Sequence, residues 1–276
     1  MANKIITLGG TGLIGSNIQL GDKISSADVN LLDLEDTLTY IEKISPDVII
    51  NAAAKTVSSK LLYENPVEYF DENLRMSLNV FKAAAEARVK RLIAYASINA
   101  FLKETTLLTS DSYNHYMKQI LSEIYFKQYG LSSKVIFLGN IYGPNSNTYN
   151  GAIPFIIDKC FQALMDDDDL ILQGNGMASR EFTYVEDIIS STEQFIHNDD
   201  NNPVIMTSGV SYTLRDVVNI VTSHLGFAGK VIWKGTSDSV TSKSFDNKDI
   251  DKLIVNDTTL EIGIRKTIDW YLENVS

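Results

Sequence analysis

Short apolar runs punctuate the first half of the chain, separated by stretches whose apolar positions recur at helical spacing. KIITLG, DVIINAAA, KRLIAYAS and SKVIFLGN have the length and composition of fully buried strands. Between them, ENLRMSLNVFKAAAEARV and the segment following Met117 carry apolar residues three and four apart, which predicts helices. Strands alternating with helices in this way form βαβ units around a parallel sheet. Residues 1–144 are therefore predicted to form a doubly wound α/β domain.

After Pro144 the texture changes. IPFIIDKCFQALM predicts a helix, LILQGNG a short strand and turn, YVEDIISSTEQFI a helix and VIMTSG a strand. A helix beginning at Thr213, the strand KVIWKG and a last helix around TLEIGIRKTIDWYLENV complete the pattern. Residues 145–276 are expected to form a smaller, mixed substrate-binding lobe whose chain partly interleaves with the first domain. Set beside the carboxyl edge of the sheet, such a lobe would wall one side of a ligand cleft.

Composition narrows the candidate partners. The 276 residues are 44% hydrophobic and carry a formal net charge of −11, which repels polyanions and argues against nucleic acid as a partner. A small anion would have to be held by local features. The acidic run Asp166 to Asp169 reads as a solvated loop. A single cysteine, Cys160, allows no internal disulfide, and His115, His197 and His224 lack ligand spacing, so no metal is expected. The start, MANKIITLGG, has an apolar run too short for a signal peptide or a membrane span, and a cytoplasmic protein is expected.

Candidate chemistry begins at Gly9-Gly10-Thr11-Gly12-Leu13-Ile14-Gly15, which follows a strand-like IITL and opens a helix-like LIGSNI. Glycine lets the backbone turn tightly and approach a phosphate, so this context predicts dinucleotide binding. The following segment is unusually short. It leaves a first helix of about two turns and a second strand reduced to a stub around Lys23 to Ser25. At the end of that strand stand Ser25 and Ser26, with no evident acidic partner for a ribose and no arginine for a 2′-phosphate, so NAD and NADP both remain open.

With GGTGLIG, VNLLDLED, DVIINAAAK, ENLRMSLNVFKAAAEARVKRLIAYAS, GNIYGPN, REFTYVEDI and SYTLRDV in order, the chain resembles the extended short-chain dehydrogenase/reductase (NAD-dependent epimerase/dehydratase) family of nucleotide-sugar enzymes, and within it the GDP-L-fucose synthase branch. The resemblance implies a Rossmann-like fold and a nucleotide-sugar substrate. It also implies NADP or NAD as coenzyme, NADP being favoured on this ground alone, and a homodimer built from two helices per subunit. By the same resemblance, Gly9, Thr11, Gly12, Leu13, Ile14 and Gly15 hold the pyrophosphate, and Asp33 and Leu34 flank the adenine. Ala52, Ala53, Ala54 and Lys55 lie beside the nicotinamide ribose, with Asn73 on the following helix. Ser97 bonds a keto oxygen, Asn140 lies where sugar and nicotinamide meet, and Arg180 grips the diphosphate, for which a planar guanidinium is chemically apt. Lys159 marks a remaining phosphate or hydroxyl contact. Two family groups are replaced: the epimerising cysteine by Asn99, and the second epimerisation residue, a histidine, by Gly151.

Reduction of a ketone also needs a proton donor, which the family supplies as a tyrosine one helical turn before a lysine, Y-x-x-x-K. In SDSYNHYMKQ that spacing pairs Asn114 with Lys118. Tyr113 stands five residues from Lys118, an offset of ~140° on an ideal helix, and Tyr116 lies ~160° away. Counting back from the downstream helix puts Asp111 and His115, or His115 and Gln119, at the two positions. An irregular helix start or a one-residue bulge would bring Tyr113 to Lys118; otherwise Tyr113 and Tyr116 are aromatic residues packing a helix N-terminus. Two readings follow. One is a 4-keto nucleotide-sugar reductase using Ser97, Tyr113 and Lys118; the other is a nucleotide-binding or regulatory protein on the same fold.

Overall fold

The computed structural model describes residues 3–57, 59–101, 110–146, 151–235 and 250–274. The chain runs β1 (Ile5–Leu8), α1 (Leu13–Asn17), β2 (Asp22–Ile24), α2 (Leu34–Ile44), β3 (Val48–Asn51), α3 (Ser59–Glu64), α4 (Pro66–Glu86), β4 (Arg91–Ser97), a 3₁₀ turn (Ile98–Phe101), α5 (Ser110–Tyr129) and β5 (Ser133–Leu138). It continues through β6 (Asn140–Tyr142), α6 (Ala152–Met165), β7 (Leu170–Gln173), β8 (Ser179–Tyr184), α7 (Val185–Ile196) and β9 (Val204–Thr207). The last elements are β10 (Ser211–Thr213), α8 (Leu214–Leu225), β11 (Val231–Lys234), β12 (Asp251–Ile254) and α9 (Leu260–Asn274).

These elements fall into two compact units. The first takes the chain up to Gly139 and then the described parts of 188–206 and 245–253. Its sheet has the order β12-β9-β5-β4-β3-β1-β2, with β1, β2, β3, β4, β5 and β9 parallel, the doubly wound arrangement expected from the alternating runs. Every residue of β3 is buried, as are six of the seven in β4, because helices cover both faces of a parallel sheet. On one face Ile6, Leu8, Ile49 and Leu92 pack against Ile41 of α2, Val80, Phe81 and Ala84 of α4, and Leu121 of α5. Full burial of each such side chain contributes about 1.5–3 kcal/mol. On the other face Ala96, Val135, Phe137 and Ile205 form a smaller cluster with Ile98 and Ile250.

The second unit comprises 140–187, the described part of 207–244, and residues from 254 onward. It contains a three-stranded sheet, β10-β8-β6, and a parallel pair, β11-β7. Its core joins Tyr142, Phe182 and Tyr184 to Ile157 and Cys160 of α6, Val217 and Val221 of α8, and Ile264 and Ile268 of α9. The helix predicted from Thr213 is capped by that residue. Its hydroxyl accepts from the Asp216 amide while the Asp216 carboxylate accepts from the Thr213 backbone N–H, satisfying two helix-end donors.

The sequence reading of the first crossover needs two corrections. Helix α1 has five residues, Leu13 to Asn17, rather than about two turns, and β2 ends at Ile24 rather than running to Ser25. The Ile18 N–H closes on the Ile14 carbonyl with Ile18 itself extended, and the chain then bends at Leu20 and Gly21, the latter at φ 67°, which leaves no length for another turn.

Candidate functional site

The glycine turn leaves β1 in a cramped space. At Gly9, which has φ 78°, an added Cβ would stand 2.7 Å from the backbone of Ala52 and Ala53; at Gly15 it would collide with the Gly9 carbonyl. Gly12 is different. A Cβ there would approach nothing nearer than the Gly9 oxygen at 3.5 Å, and no side chain caps the helix that Gly12 opens. A side chain at Gly12 would fill the space in front of the turn, so the residues present fit a bound pyrophosphate. Thr11 and Gly12 are exposed, Leu13 and Ile14 half-buried, and Gly15 buried.

The segment after β3 is held beside this turn. Ala52 N–H donates to the Leu8 carbonyl at 3.0 Å, and Ala53 N–H to Asn51 Oδ1 at 3.1 Å. Asn73 of α4 binds the next residues through both ends of its amide. Its Oδ1 accepts from Lys55 N at 2.9 Å, and its Nδ2 donates to Lys55 O at 3.0 Å. The Lys55 ammonium lies 2.8 Å from Glu72 and 3.0 Å from Glu68, and hydrogen bonds to these carboxylates raise its pKa. Ala54 is exposed and precedes this clamp.

Asp33 and Leu34 open α2. The Asp33 carboxylate accepts from the Asp36 N–H at 2.9 Å, so one of its oxygens is occupied as a helix cap. The end of β2 holds a residue that sequence reasoning missed. Asp28 folds back so that its Oδ2 accepts from Ser25 N at 2.8 Å and Ser25 Oγ at 2.7 Å. Those bonds hold the Asp28 carboxyl below the usual carboxylate range. The signal available in the sequence was the i, i+3 spacing of serine and aspartate, a local turn pattern, rather than an acidic residue at the strand's last position.

Ser97 ends β4, and its Oγ accepts from the Asn99 N–H at 3.2 Å. Lys118 is buried, 5% exposed, and its Nζ donates to the Tyr95 carbonyl at 2.8 Å, two residues from Ser97 on the same strand. Helix α5 is regular from Ser110 to Tyr129, without a bulge. This corrects the proposed pairing of Tyr113 with Lys118: on a regular helix they point in different directions, Tyr113 being 50% exposed. Tyr116 is 45% exposed, so each of the two rings keeps about half of its surface in solvent. The buried side chain one turn before Lys118 is Asn114. Its Nδ2 lies 3.4 Å from the Tyr69 carbonyl, and its Oδ1 has no hydrogen-bond partner among the described residues. His115 is half-buried, and the Asp111 side chain lies outside the described residues.

In the second unit, β6 places Asn140 opposite Phe182 of β8, and Asn140 Nδ2 donates to the Glu181 carbonyl at 3.0 Å. Arg180 stands two residues before Phe182, half-buried, with Nη1 donating to the Ser179 carbonyl at 2.7 Å. The Glu181 carboxylate accepts from the Thr207 hydroxyl, which fixes the strand between these residues. Asn140 and Arg180 thus share one small sheet. Lys159, on α6, donates to Gln162 of its own helix at 3.2 Å. Gly151 opens that helix at φ 148° and offers no side chain for acid/base work. Among the described residues no His, Cys, Asp and Glu group is arranged to hold a metal, and no helix is long and apolar enough to cross a membrane.

The chain is similar to known proteins over nearly its whole length. A GDP-L-fucose synthase of Dictyostelium discoideum is 26% identical over 307 aligned positions, covering 98% of this chain and 95% of that protein. A GDP-L-colitose synthase of Yersinia pseudotuberculosis is 26% identical, covering 98% of each chain. The crystal structure of a GDP-L-fucose synthetase from Naegleria fowleri bound to NADP superposes with a TM-score of 0.84 at 20% identity, covering 99% of this chain and 95% of that one. The sequence profile of the NAD dependent epimerase/dehydratase family matches residues 17–206, and together with the doubly wound sheet and its glycine turn this places the chain in that family.

Proposed function

We propose that the protein is an NAD(P)H-dependent reductase of a keto nucleotide sugar, a 4-keto GDP- or dTDP-deoxysugar being the substrate class, without the epimerisation step. The observation that carries this reading is the junction of Ser97 and Lys118. A buried lysine is anchored to the carbonyl of Tyr95, two residues before the serine that ends β4. Holding an ammonium in so dry a place is costly unless its charge is used or fully hydrogen-bonded. In this reading NADP or NAD lies on Gly9, Thr11, Gly12, Leu13, Ile14 and Gly15, with Asp33, Leu34, Ala52, Ala53, Ala54, Lys55 and Asn73 around it. The coenzyme supplies the hydride. Ser97 holds the ketone oxygen and relays to it a proton from solvent water as the hydride reaches the carbonyl carbon, Lys118 supports the ribose and the local field, and Asn140, Arg180 and Lys159 bind the sugar and diphosphate. Asn99 and Gly151 supply no group that titrates near neutrality, so no carbon adjacent to the ketone is deprotonated. The protein is expected to act in the cytoplasm as a homodimer.

A second reading has its own observation. The position one turn before Lys118 is asparagine, which cannot deliver a proton as a tyrosine does, and this favours a nucleotide-binding or regulatory protein on the same scaffold. Both readings are tested by following NADH and NADPH oxidation at about 340 nm with 4-keto-6-deoxy GDP- and dTDP-sugars. Coenzyme oxidation matched by reduced sugar, and lowered in Ser97→Ala, supports the reductase. Tight coenzyme binding without turnover on either sugar class supports the second reading.

A further inference from the structure

The turn between β7 and β8 contains an asparagine followed by a glycine, Asn175-Gly176, and separate contacts bear on the two groups that could react there. The Asn175 side chain is folded back on its own backbone. Its Oδ1 accepts from the Met177 N–H at 2.9 Å, a local turn that lays the side-chain amide over the peptide joining residues 175 and 176. The carbonyl oxygen of that same peptide accepts from Arg215 Nε at 2.8 Å. Gly176 has no side chain to shield its nitrogen, and its N–H makes no hydrogen bond among the described residues.

The turn is held firmly. Gly176 is buried at φ 74°, where an added Cβ would stand 2.6 Å from the Trp233 ring and 2.7 Å from Arg215 Cγ. The Arg215 guanidinium lies 5.4 Å from the centre of the Trp233 ring, which favours a cation over its face. Backbone bonds from Arg215 N to the Gly176 carbonyl at 3.0 Å and from Leu214 N to the Ala178 carbonyl at 3.1 Å fasten the turn to the start of α8.

We infer that Asn175-Gly176 is a self-modifying site, at which the folded protein converts its own asparagine to aspartate or isoaspartate. The Gly176 nitrogen, its proton taken by solvent hydroxide, bonds to Cγ of Asn175. The bond from Cγ to Nδ2 breaks, and Nδ2 leaves as ammonia with a proton from water. The five-membered imide then takes up water and opens at either of its carbonyls. Each contact acts on one side of this step. Deprotonation of the Gly176 N–H spreads negative charge onto the Asn175 carbonyl oxygen, where the Arg215 guanidinium stabilises it. The Met177 N–H stabilises the charge that develops on Oδ1 during the attack. This chemistry is independent of the reductase reaction proposed above.

Incubation of the whole protein in neutral buffer, beside a sample unfolded in urea, tests the inference by ion exchange and by mass-spectrometric peptide mapping. Asn175 is expected to convert at least about tenfold faster in the folded protein than in the unfolded chain. Arg215→Gln, which still offers a donor but no charge, should remove most of that acceleration, and Arg215→Lys, which keeps a cation, should retain more of it. Asn175→Asp should stop the more acidic species from accumulating. A folded protein that converts no faster than the unfolded chain, its rigid turn shielding the asparagine, overturns the inference. Full acceleration in Arg215→Gln overturns the part given to Arg215.

Discussion

Asn114 is an expensive choice of residue. Its buried amide oxygen is without a partner among the described residues, a condition that costs about 1–3 kcal/mol, and an apolar side chain of similar volume would avoid that cost. Replacing it by tyrosine places a phenol one helical turn before the Lys118 ammonium. Asn114→Tyr is expected to lose about 1–3 kcal/mol of stability from overpacking, read by urea denaturation. The same change should raise turnover on a 4-keto nucleotide sugar by about 100-fold, the lower range for a positioned proton donor. A folded Asn114→Tyr protein no faster than the unaltered one would show that position 114 is not where a donor is missing. None of this depends on Tyr113, whose half-exposed ring lies away from the lysine.

At the scale of the element, α5 explains that displacement. Tyr113, Tyr116, Ile120 and Ile124 fall within about 80° of one another around the helix, while Asn114, Lys118 and Leu121 lie on the buried arc. Tyr113, Tyr116 and Ile124 are each about half exposed, and Leu78 of α4 is 39% exposed. An apolar stripe of this kind beside a second helix is suited to a copy of itself. The protein is expected to sediment as a dimer, and Ile124→Glu to sediment as a folded monomer with unchanged circular dichroism; a monomer before substitution would dismiss this face as the contact. Legibility in the sequence followed the strength of the physical signal. The wholly buried β3 and the nearly wholly buried β4 were plain from their apolar runs, and α8 was plain from its Thr213 cap. The three-residue strands β6 and β10 went unread, because too few positions are available to define a period. In the glycine turn, Gly9 and Gly15 were legible because backbone geometry dictates the residue type. The register of Asn114 and Lys118 against β4 was not, since several helical alignments satisfy the same ten residues. Asp28 escaped because it reaches the end of β2 through a turn.

At the scale of the molecule, a polar network ties the segment after α7 to the first sheet. Arg91 donates to the Phe195 and Asp200 carbonyls, to Ser132, and to Asn198 and Asn201. Lys134, almost wholly buried, pairs with Asp200 at 2.5 Å. The hydrogen bond from Lys134 holds the Asp200 carboxyl below its ordinary value of 3.8. A lowered folded-state pKa gives stability that is complete above the ordinary value and is lost as pH falls through the lowered one. Asp200→Asn should therefore destabilise the protein by about 1–3 kcal/mol at neutral pH, discounted because Asp200 is 45% exposed. The difference from the unaltered protein should persist down to about pH 5 and fade below about pH 3, as read by denaturation across pH. A difference that stays constant into acid would remove the pair as its source.

The sheet order also bears on how the chain is made. β5 receives its neighbour β9 only after residues 140–187 of the second unit have been synthesised, and β9 receives β12 only after most of that unit has been made. A nascent chain that has emerged only through β5 presents that strand's unpaired amides and carbonyls to whatever else is exposed in the cell. Translation stopped before residue 204 would leave β5 bare, and stopped before residue 251 would leave β9 bare. Premature termination is thus a route to a sticky fragment rather than to a free nucleotide-binding domain.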